Sequence, residues 1–215
     1  MPEYAAVIAQ AVAEGDNRTV VETLRQALDQ GASPDDLLSQ GLIPGIQQLG
    51  AKFKGGEVFL PEILISVRAM KQGLELLKPL FSAQQRPASR GTIVIGTVAG
   101  DNHDIGKNLV RMMLESHQFE VIDLGVDVPP AAFVKTAQEH GAALLAVSAL
   151  LTTTMTGIPE VLGLLTEAGL RDKVKMMIGG APITREFADL IGVEGFAPDC
   201  VTAVDEARRL LGAGD

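Results

Sequence analysis

From Thr92 to the C-terminus, short runs rich in Val, Ile and Leu alternate with longer stretches of helical periodicity. These runs are short, which is typical of strands rather than helices. Strands that are buried on both faces and separated by helices are typical of a parallel sheet. The predicted strands are Thr92–Val98, Glu120–Leu124, Leu144–Ala149 and Lys175–Ile178, with a weaker fifth strand near Gly195–Ala197.

The helical stretches between these runs determine how the strands connect. One helix between consecutive strands is the crossover that parallel strands require, and successive crossovers cover both faces of the sheet. The sequence therefore predicts an α/β fold with a flavodoxin-like (Rossmann-like) five-stranded parallel sheet of order 2-1-3-4-5. In such a sheet, ligands bind beyond the carboxyl ends of the strands, beside strand 1. The predicted helices are Gly106–His117, Pro130–His140, Ile158–Ala168, Thr184–Ile191 and about Val201–Leu211.

The N-terminal part of the chain has helical periodicity throughout, which predicts a separate helical bundle. Pro44 is expected to kink or restart a helix, because proline has no N–H to donate. Pro61 begins a longer helix, whose inward side is predicted to contain Ile63, Leu64, Val67, Met70, Leu74 and Leu77. The polar segment 84–90 is the predicted linker between a helical domain at 1–83 and the α/β domain at 91–215.

The charge balance limits the classes of partner. The net charge is −9, so the surface repels phosphate backbones and anionic membranes, and no nucleic-acid or membrane partner is expected. The N-terminus lacks the basic and apolar regions of a signal peptide. Cys200 is the only cysteine, so no internal disulfide can form. Together these features predict a cytoplasmic protein.

The segment Gly100–Asn108 follows the first predicted strand, at the end of the sheet where ligands are expected. His103 has Asp101 two residues before it, so the carboxylate can hold one ring nitrogen while the other nitrogen meets a ligand. Gly106 has no side chain, so a bulky group can approach the backbone at the start of the next helix.

Other interpretations of this loop stay open when it is taken alone. His103 could be a loop histidine without a ligand. The loop could bind phosphate, although it lacks the G-x-G-x-x-G pattern. A zinc site is not favoured, because His117 and His140 have no cysteine or carboxylate at matching spacing, and both are expected to be solvated.

Three sequence blocks occur in order at the predicted strand ends. Asp101-x-His103-x-x-Gly106 is followed by Ser148-x-Leu150 and then by Gly179-Gly180, with 41 residues (107–147) and 28 residues (151–178) between them. This pattern resembles the signature of cobalamin-binding domains. The N-terminal bundle, with its segment GEVFLPE at 56–62, is similar to the helical cap module of methionine synthase and of the corrinoid proteins of methyltransferase systems. The resemblance therefore extends over the whole chain.

The resemblance implies that His103 displaces the cofactor's own dimethylbenzimidazole base and becomes the lower axial ligand of cobalt. It implies a hydrogen-bonded relay from His103 through Asp101 and Ser148, and it places Phe59 of the cap over the upper face of the cofactor. The displaced nucleotide tail would occupy a slot beside the sheet. The residues implied in cofactor binding are Phe59, Asp101, Asn102, His103, Asp104, Ile105, Gly106, Ser148, Leu150, Thr152, Gly179 and Gly180.

The implied function is that of a corrinoid methyl-carrier subunit that is not catalytic alone. In its Co(I) form the cobalamin accepts a methyl group from a donor-specific methyltransferase, and as methylcobalamin it passes the group to a second methyltransferase. The acceptor would be tetrahydrofolate or coenzyme M, and a corrinoid reductive activase is a further implied partner. The methyl donor (methanol, a methylamine, a betaine or an aryl methyl ether) would be chosen by the partner.

Other functions of a cobalamin-binding chain stay open. One is the small cobalamin-binding subunit of a mutase, although such subunits usually lack a helical cap. Another is a cobalamin-sensing regulatory protein, although these use Trp in the bundle and this chain has no Trp. A storage or trafficking protein is a third alternative.

Overall fold

The computed structural model describes residues 2–80 and 89–212. They belong to two compact units, Met1–Ala88 and Ser89–Asp215. The division falls within the predicted linker, whose residues 84–88 lie outside the described residues. None of the described helices is both long and apolar enough to cross a membrane.

The N-terminal unit is a bundle of α-helices. The first helix packs against the second, fourth and fifth, and the core of the bundle contains the fully buried Ile8, Leu24, Leu42, Ile46 and Met70. The helices are α1 (Pro2–Glu14), α2 (Asn17–Asp29), α3 (Pro34–Asp36), α4 (Ile43–Lys54) and α5 (Leu60–Leu77), with a 3₁₀ turn at Lys78–Leu80.

A helix restarts at Pro44, but without a break in helical backbone conformation. The stretch Leu37–Leu42 is a π-helix that joins α3 to α4, and the N–H of Ile43 donates to the carbonyl of Leu38. Pro44 then lies in the first turn of α4, where a missing N–H costs least.

The inward side of α5 differs from the prediction at one residue. Ile63, Val67, Met70 and Leu77 are buried as predicted and Leu74 is half-buried, whereas Leu64 is 45% exposed. The centre of the buried face is taken by small residues, including Ser66, whose hydroxyl donates to the carbonyl of Ala13 at 3.2 Å. Apolar spacing alone does not reveal that small residues form the closest contact, so the prediction for Leu64 is wrong.

The C-terminal unit contains the parallel sheet. Its strands are β1 (Thr92–Thr97), β2 (Glu120–Asp123), β3 (Leu144–Ser148), β4 (Lys175–Gly179) and β5 (Gly195–Phe196). They are ordered β2-β1-β3-β4-β5, and every neighbouring pair is parallel. The predicted strands and strand order are thus confirmed. The helices are α6 (Ile105–Ser116), α7 (Pro130–His140), α8 (Gly157–Glu167), α9 (Arg185–Ile191) and α10 (Cys200–Leu211).

The sheet is buried between its helices. Phe133 of α7 and Ile158 of α8 pack with Val94, Leu145 and Met176 of the three central strands in one apolar cluster. The carboxyl ends of β1, β3 and β4 lie side by side, because the strand register pairs Thr97 with Ser148 and Ser148 with Gly179. The three predicted sequence blocks therefore follow neighbouring strand ends.

His117 follows the last residue of α6, and its side chain is buried, so the expectation that it is solvated is wrong. Its Nδ1 lies 2.8 Å from the carbonyl of Met113 one turn earlier, and donates to it because a carbonyl can only accept. Burial lowers the pKa of His117 to about 4, aided by the charges of Arg90 and Arg208, while the Met113 carbonyl and Asp205 oppose the shift.

The free energy of unfolding is expected to fall as the pH decreases from about 6.5 to about 4, the two pKa values of His117 when unfolded and folded. In this window the unfolded chain binds a proton that the folded protein does not, so protonation favours unfolding. The full loss is about 3 kcal/mol. Urea unfolding as a function of pH measures it. His117→Gln should flatten the dependence and the exposed His140→Gln should not; equal pH dependence in wild type and His117→Gln would refute this origin.

Candidate functional site

A tight turn at the end of β1 begins the site. The N–H of Asp101 donates to the carbonyl of Val98 at 3.2 Å, and Gly100 has φ +78°. A positive φ at the third residue of such a turn favours glycine, since L side chains are strained there. The turn places Asp101 and then His103 just beyond the carboxyl end of β1.

Asp101 is fully buried and accepts four hydrogen bonds. Its Oδ1 accepts from the backbone N–H and the ring Nδ1 of His103, at 3.1 and 2.7 Å. Its Oδ2 accepts from the N–H of Leu150 and the hydroxyl of Thr154, both at 2.8 Å. Burial alone would raise the pKa of Asp101, but these hydrogen bonds together hold it well below its usual value. The side chain is therefore an ionised carboxylate that can only accept.

The ring of His103 is oriented by this carboxylate. Because ionised Asp101 can only accept, Nδ1 carries the proton in the 2.7 Å contact, and in the neutral ring the lone pair lies on Nε2. The side chain is 52% exposed. An exposed histidine side chain with Nδ1 held by a carboxylate is the arrangement of metal-binding histidines. The site therefore fits a group that offers one open coordination position.

The hydrogen bonds of Ser148 differ from the predicted relay. Ser148 is paired with Thr97 in the sheet, and their hydroxyl oxygens are 3.1 Å apart. Thr97 donates its only proton to the carbonyl of His103 at 2.9 Å, so Ser148 is the donor in the contact between the hydroxyls. Because Ser148 and Thr97 are adjacent in register, the hydroxyl meets Thr97 instead of Asp101. Ser148 thus donates to the Thr97 hydroxyl, which in turn holds the backbone carbonyl of His103. Thr154 makes the direct contact with Asp101.

Sequence reasoning missed both Thr97 and Thr154. Thr97 is fully buried at the end of an apolar strand, where a hydroxyl must find a partner. Thr154 follows two other threonines, which are both exposed, whereas Thr154 is half-buried. The sequence feature that could have indicated Thr154 is a hydroxyl residue six positions after Ser148, in the turn that returns to Asp101.

Replacing Thr154 by valine is expected to lower the free energy of unfolding by about 1.5–3 kcal/mol, because a buried carboxylate loses a hydroxyl donor. Valine has nearly the shape of threonine, so packing changes little. Thr154→Ser keeps the hydroxyl and should stay within about 1 kcal/mol of wild type. Urea unfolding at neutral pH compares them, with Thr153→Val as an exposed control. Equal stability of the valine and serine variants at residue 154 would contradict the contact.

The remaining predicted residues of this loop line an open surface. Asn102 and Asp104 are exposed, and Ile105 is 77% exposed. The carboxylate of Asp104 accepts from the side-chain amide of Asn108 at 3.1 Å. A Cβ added to Gly106 would meet no atom within 4 Å, so the start of α6 has free space beside the backbone.

The residues at the ends of β3 and β4 are more closely packed than the loop after β1. Thr152 is exposed, and Leu150 contributes its backbone N–H to Asp101. At Gly179 an added Cβ would lie 2.6 Å from the carbonyl oxygen of Ala197. At Gly180 it would lie 1.9 Å from the carbonyl oxygen of Ala149. The paired glycines are therefore needed for the approach of backbone to backbone at the strand ends.

Phe59 belongs to the N-terminal unit and lies just before α5. Its N–H donates to the carboxylate of Glu62 at 3.0 Å, a cap that fixes the start of the helix. The Phe59 side chain is 67% exposed, and the neighbouring Leu60 and Leu64 are exposed too. This end of α5 thus has an apolar surface.

Comparison with known proteins identifies the family. The C-terminal unit matches the B12 binding domain over residues 91–205, and residues 4–78 match a second B12 binding domain family. The chain is 42% identical over 205 residues to a corrinoid protein of Desulfitobacterium hafniense, which covers 94% of this chain and 95% of that protein. It is 40% identical over 210 residues to trimethylamine corrinoid protein 1 of Methanosarcina acetivorans, with 97% of both chains covered.

A solved structure agrees with these matches. The methanol:cobalamin methyltransferase complex of Methanosarcina barkeri contains a chain that superposes with a TM-score of 0.86 at 32% identity. The match covers 99% of this chain and 81% of that one. The matched domains include both the His103 loop and the helical bundle that contains Phe59. The chain therefore belongs to the family of B12-binding corrinoid proteins of methyltransferase systems, and cobalamin is its cofactor.

Proposed function

We propose that His103 is the lower axial ligand of cobalt and that it displaces the cofactor's own base. The observation that carries this proposal is the exposed His103 ring, whose Nδ1 is fixed at 2.7 Å from a buried, ionised Asp101. A carboxylate on the far nitrogen makes an imidazole a better metal ligand and fixes its orientation. Thr154 and the N–H of Leu150 hold that carboxylate in turn.

The displaced nucleotide tail is proposed to pass along the start of α6. Gly106 leaves the backbone open there, and the exposed Ile105 offers apolar contact. Asn102 and Asp104 supply polar groups at the same edge. Gly179 and Gly180 contribute indirectly, because they allow the backbone at the end of β4 to approach Ala197 and Ala149 closely. Phe59 is proposed to cover the upper face of the cofactor.

We propose that the chain is a methyl carrier between two methyltransferases. When bound, the cobalt of a cobalamin can accept a methyl group and release it to a second acceptor. The chain itself then binds the cofactor, orients it through His103 and adjusts the ligand through Asp101. The catalytic groups that activate the methyl donor and the acceptor would belong to the partners, with tetrahydrofolate or coenzyme M as the acceptor.

A methylated nitrogen compound is the donor class that the relatives favour. Those named for a substrate are trimethylamine and dimethylamine corrinoid proteins at 39–44% identity, above the 32% identity to the chain in the methanol complex. We propose a donor methyltransferase for such an amine, an acceptor methyltransferase, and a reductive activase that returns an oxidised cobalt to Co(I) by supplying one electron. A cytoplasmic location remains a prediction.

The proposal is tested by methyl transfer with the cobalamin-loaded chain. The reduced protein is mixed separately with methyltransferases for trimethylamine, dimethylamine, monomethylamine, glycine betaine and methanol, each with its own donor carrying a radiolabelled methyl group. Label should appear on the protein-bound cobalamin with at least one amine and then on tetrahydrofolate or coenzyme M after the second enzyme is added. Transfer from methanol alone would overturn the donor class. No transfer from any donor, with a loaded and reduced protein, would overturn the carrier function.

A further inference from the structure

Asp127 lies outside the three sequence blocks, yet it contacts the loop that carries His103. It follows β2, and its Oδ1 accepts a hydrogen bond from the N–H of Gly100 at 2.6 Å. Its own N–H donates to the carbonyl of Asp101 at 3.0 Å. Asp127 is therefore hydrogen-bonded to Gly100 and Asp101, the two residues immediately before Asn102 and His103.

The backbone around Asp127 is held against the end of β1. The N–H of Thr97 donates to the carbonyl of Gly125, and the N–H of Val128 donates to the carbonyl of Thr97, both at 3.0 Å. Val98 and Val128 form a parallel bridge beyond the ends of their strands. The backbone of residues 125–128 thus supports the turn, and the side chain of Asp127 contacts the turn directly.

Asp127 adopts an unusual conformation to make this contact. Its φ is +53°, a left-handed value that residues other than glycine rarely adopt, although Asp and Asn tolerate it better than most. The side chain is not needed to fill the core, because Asp127 is exposed. A strained, exposed residue whose carboxylate and N–H both meet one loop indicates a role in placing that loop.

We infer that Asp127 is a positioning residue for cobalt ligation: it fixes the turn Val98–Asp101 so that Asp101 holds His103 at the angle the metal requires. This inference rests on the proposed function of His103. Asp101 is held from the β3 side by Leu150 and Thr154, and from the β2 side by Asp127. Without the carboxylate the N–H of Gly100 turns to solvent, and the His103 loop samples other orientations.

Two substitutions separate this role from backbone strain. Asp127→Gly relieves the positive φ but removes the acceptor, so a purely structural role predicts a protein at least as good as wild type. Asp127→Asn keeps an acceptor oxygen and tolerates the positive φ, so it should restore positioning. Glu167→Gln, on the exposed part of α8, is the control for a lost carboxylate.

Two measurements are made on each protein. The first is amide hydrogen exchange at Gly100 in the cofactor-free protein, and the second is the ratio of His-ligated to His-free cobalamin in the visible spectrum of the loaded protein. Asp127→Gly is expected to speed the exchange and to lower the ratio, each by about tenfold. Asp127→Asn and Glu167→Gln should stay within about threefold of wild type.

The outcomes distinguish this inference from the proposed function. A His-ligated wild type together with an Asp127→Gly variant that is unchanged in both measurements would overturn the inference and leave the proposed function intact. A wild type that binds cobalamin without His ligation would overturn the proposed function and the inference with it. Impaired ligation in Asp127→Gly, restored in Asp127→Asn, would establish the positioning role.

Discussion

Replacing His103 by alanine is expected to remove the nitrogen ligand that we propose for cobalt. The bound cofactor would then keep its own base or remain without a lower ligand, and its visible spectrum would change accordingly. Affinity for cobalamin should fall by at least about 100-fold, since even the outer partners of metal ligands contribute about 10- to 100-fold.

The fold should survive this substitution. His103 is half-exposed, and Asp101 keeps the hydrogen bonds from Leu150 and Thr154. Equilibrium dialysis against hydroxocobalamin measures the affinity, and His140→Ala, at an exposed histidine outside the site, is the matched control. An affinity and a spectrum unchanged in His103→Ala would contradict the assigned ligand.

Replacing Gly180 by alanine is expected to lower the stability of the fold strongly, because the added methyl group has no space. The added Cβ would lie 1.9 Å from the carbonyl oxygen of Ala149, and residue 180 has φ +132°. Neither atom belongs to a flexible side chain, so the ends of β3 and β4 must separate. We expect the free energy of unfolding to fall by at least about 3 kcal/mol.

Gly106→Ala is the matched control, because its Cβ meets open space in α6. Alanine in a helix is favoured over glycine by about 0.5–1 kcal/mol, so this variant should fold at least as well as wild type. It should nevertheless bind cobalamin more weakly if the nucleotide tail passes beside α6. Urea unfolding of both variants, followed by dialysis for Gly106→Ala, checks the pair. Similar stability of Gly180→Ala and wild type would show that the strand ends are less constrained than this account requires.

The sheet could be predicted from the sequence because its central strands are buried on both faces. The runs that begin at Thr92, Leu144 and Lys175 are mostly apolar, and helical stretches separate all the strands, which is typical of a parallel sheet. The two-residue β5 lies within the weaker fifth strand predicted near Gly195–Ala197, and it pairs with β4.

The candidate site could be predicted only in part. His103 and Asp101 are two residues apart, so their contact is local and follows from spacing. The contact of Thr154 with Asp101 joins residues 53 positions apart, and that of Asp127 with Gly100 joins residues 27 apart. Such contacts depend on the return of loops to the strand ends, which periodicity does not encode.

Ser148 was predicted as a site residue, but its hydrogen-bond partner was not. It stands in the expected sequence block, but its register with Thr97 directs the hydroxyl to that neighbour. Likewise His117 is polar and follows a helix, which indicates solvent exposure, yet its ring folds back on the carbonyl of Met113 and is buried. Tertiary structure sets the partner of Ser148 and the burial of His117, and neither follows from the residue type.

Electron paramagnetic resonance of the Co(II) cobalamin form tests the central claim most directly. The protein is grown on nitrogen-15 and loaded with unlabelled cobalamin, so only a ligand from the protein carries the heavier isotope. Nitrogen-15 splits the cobalt lines into doublets, whereas the nitrogen-14 of the cofactor's own base splits them into triplets. If His103 is the ligand, the wild type shows doublets, which are lost in His103→Ala and retained in His140→Ala. Triplets in the wild-type protein would show that the cofactor keeps its base and that His103 is not the ligand.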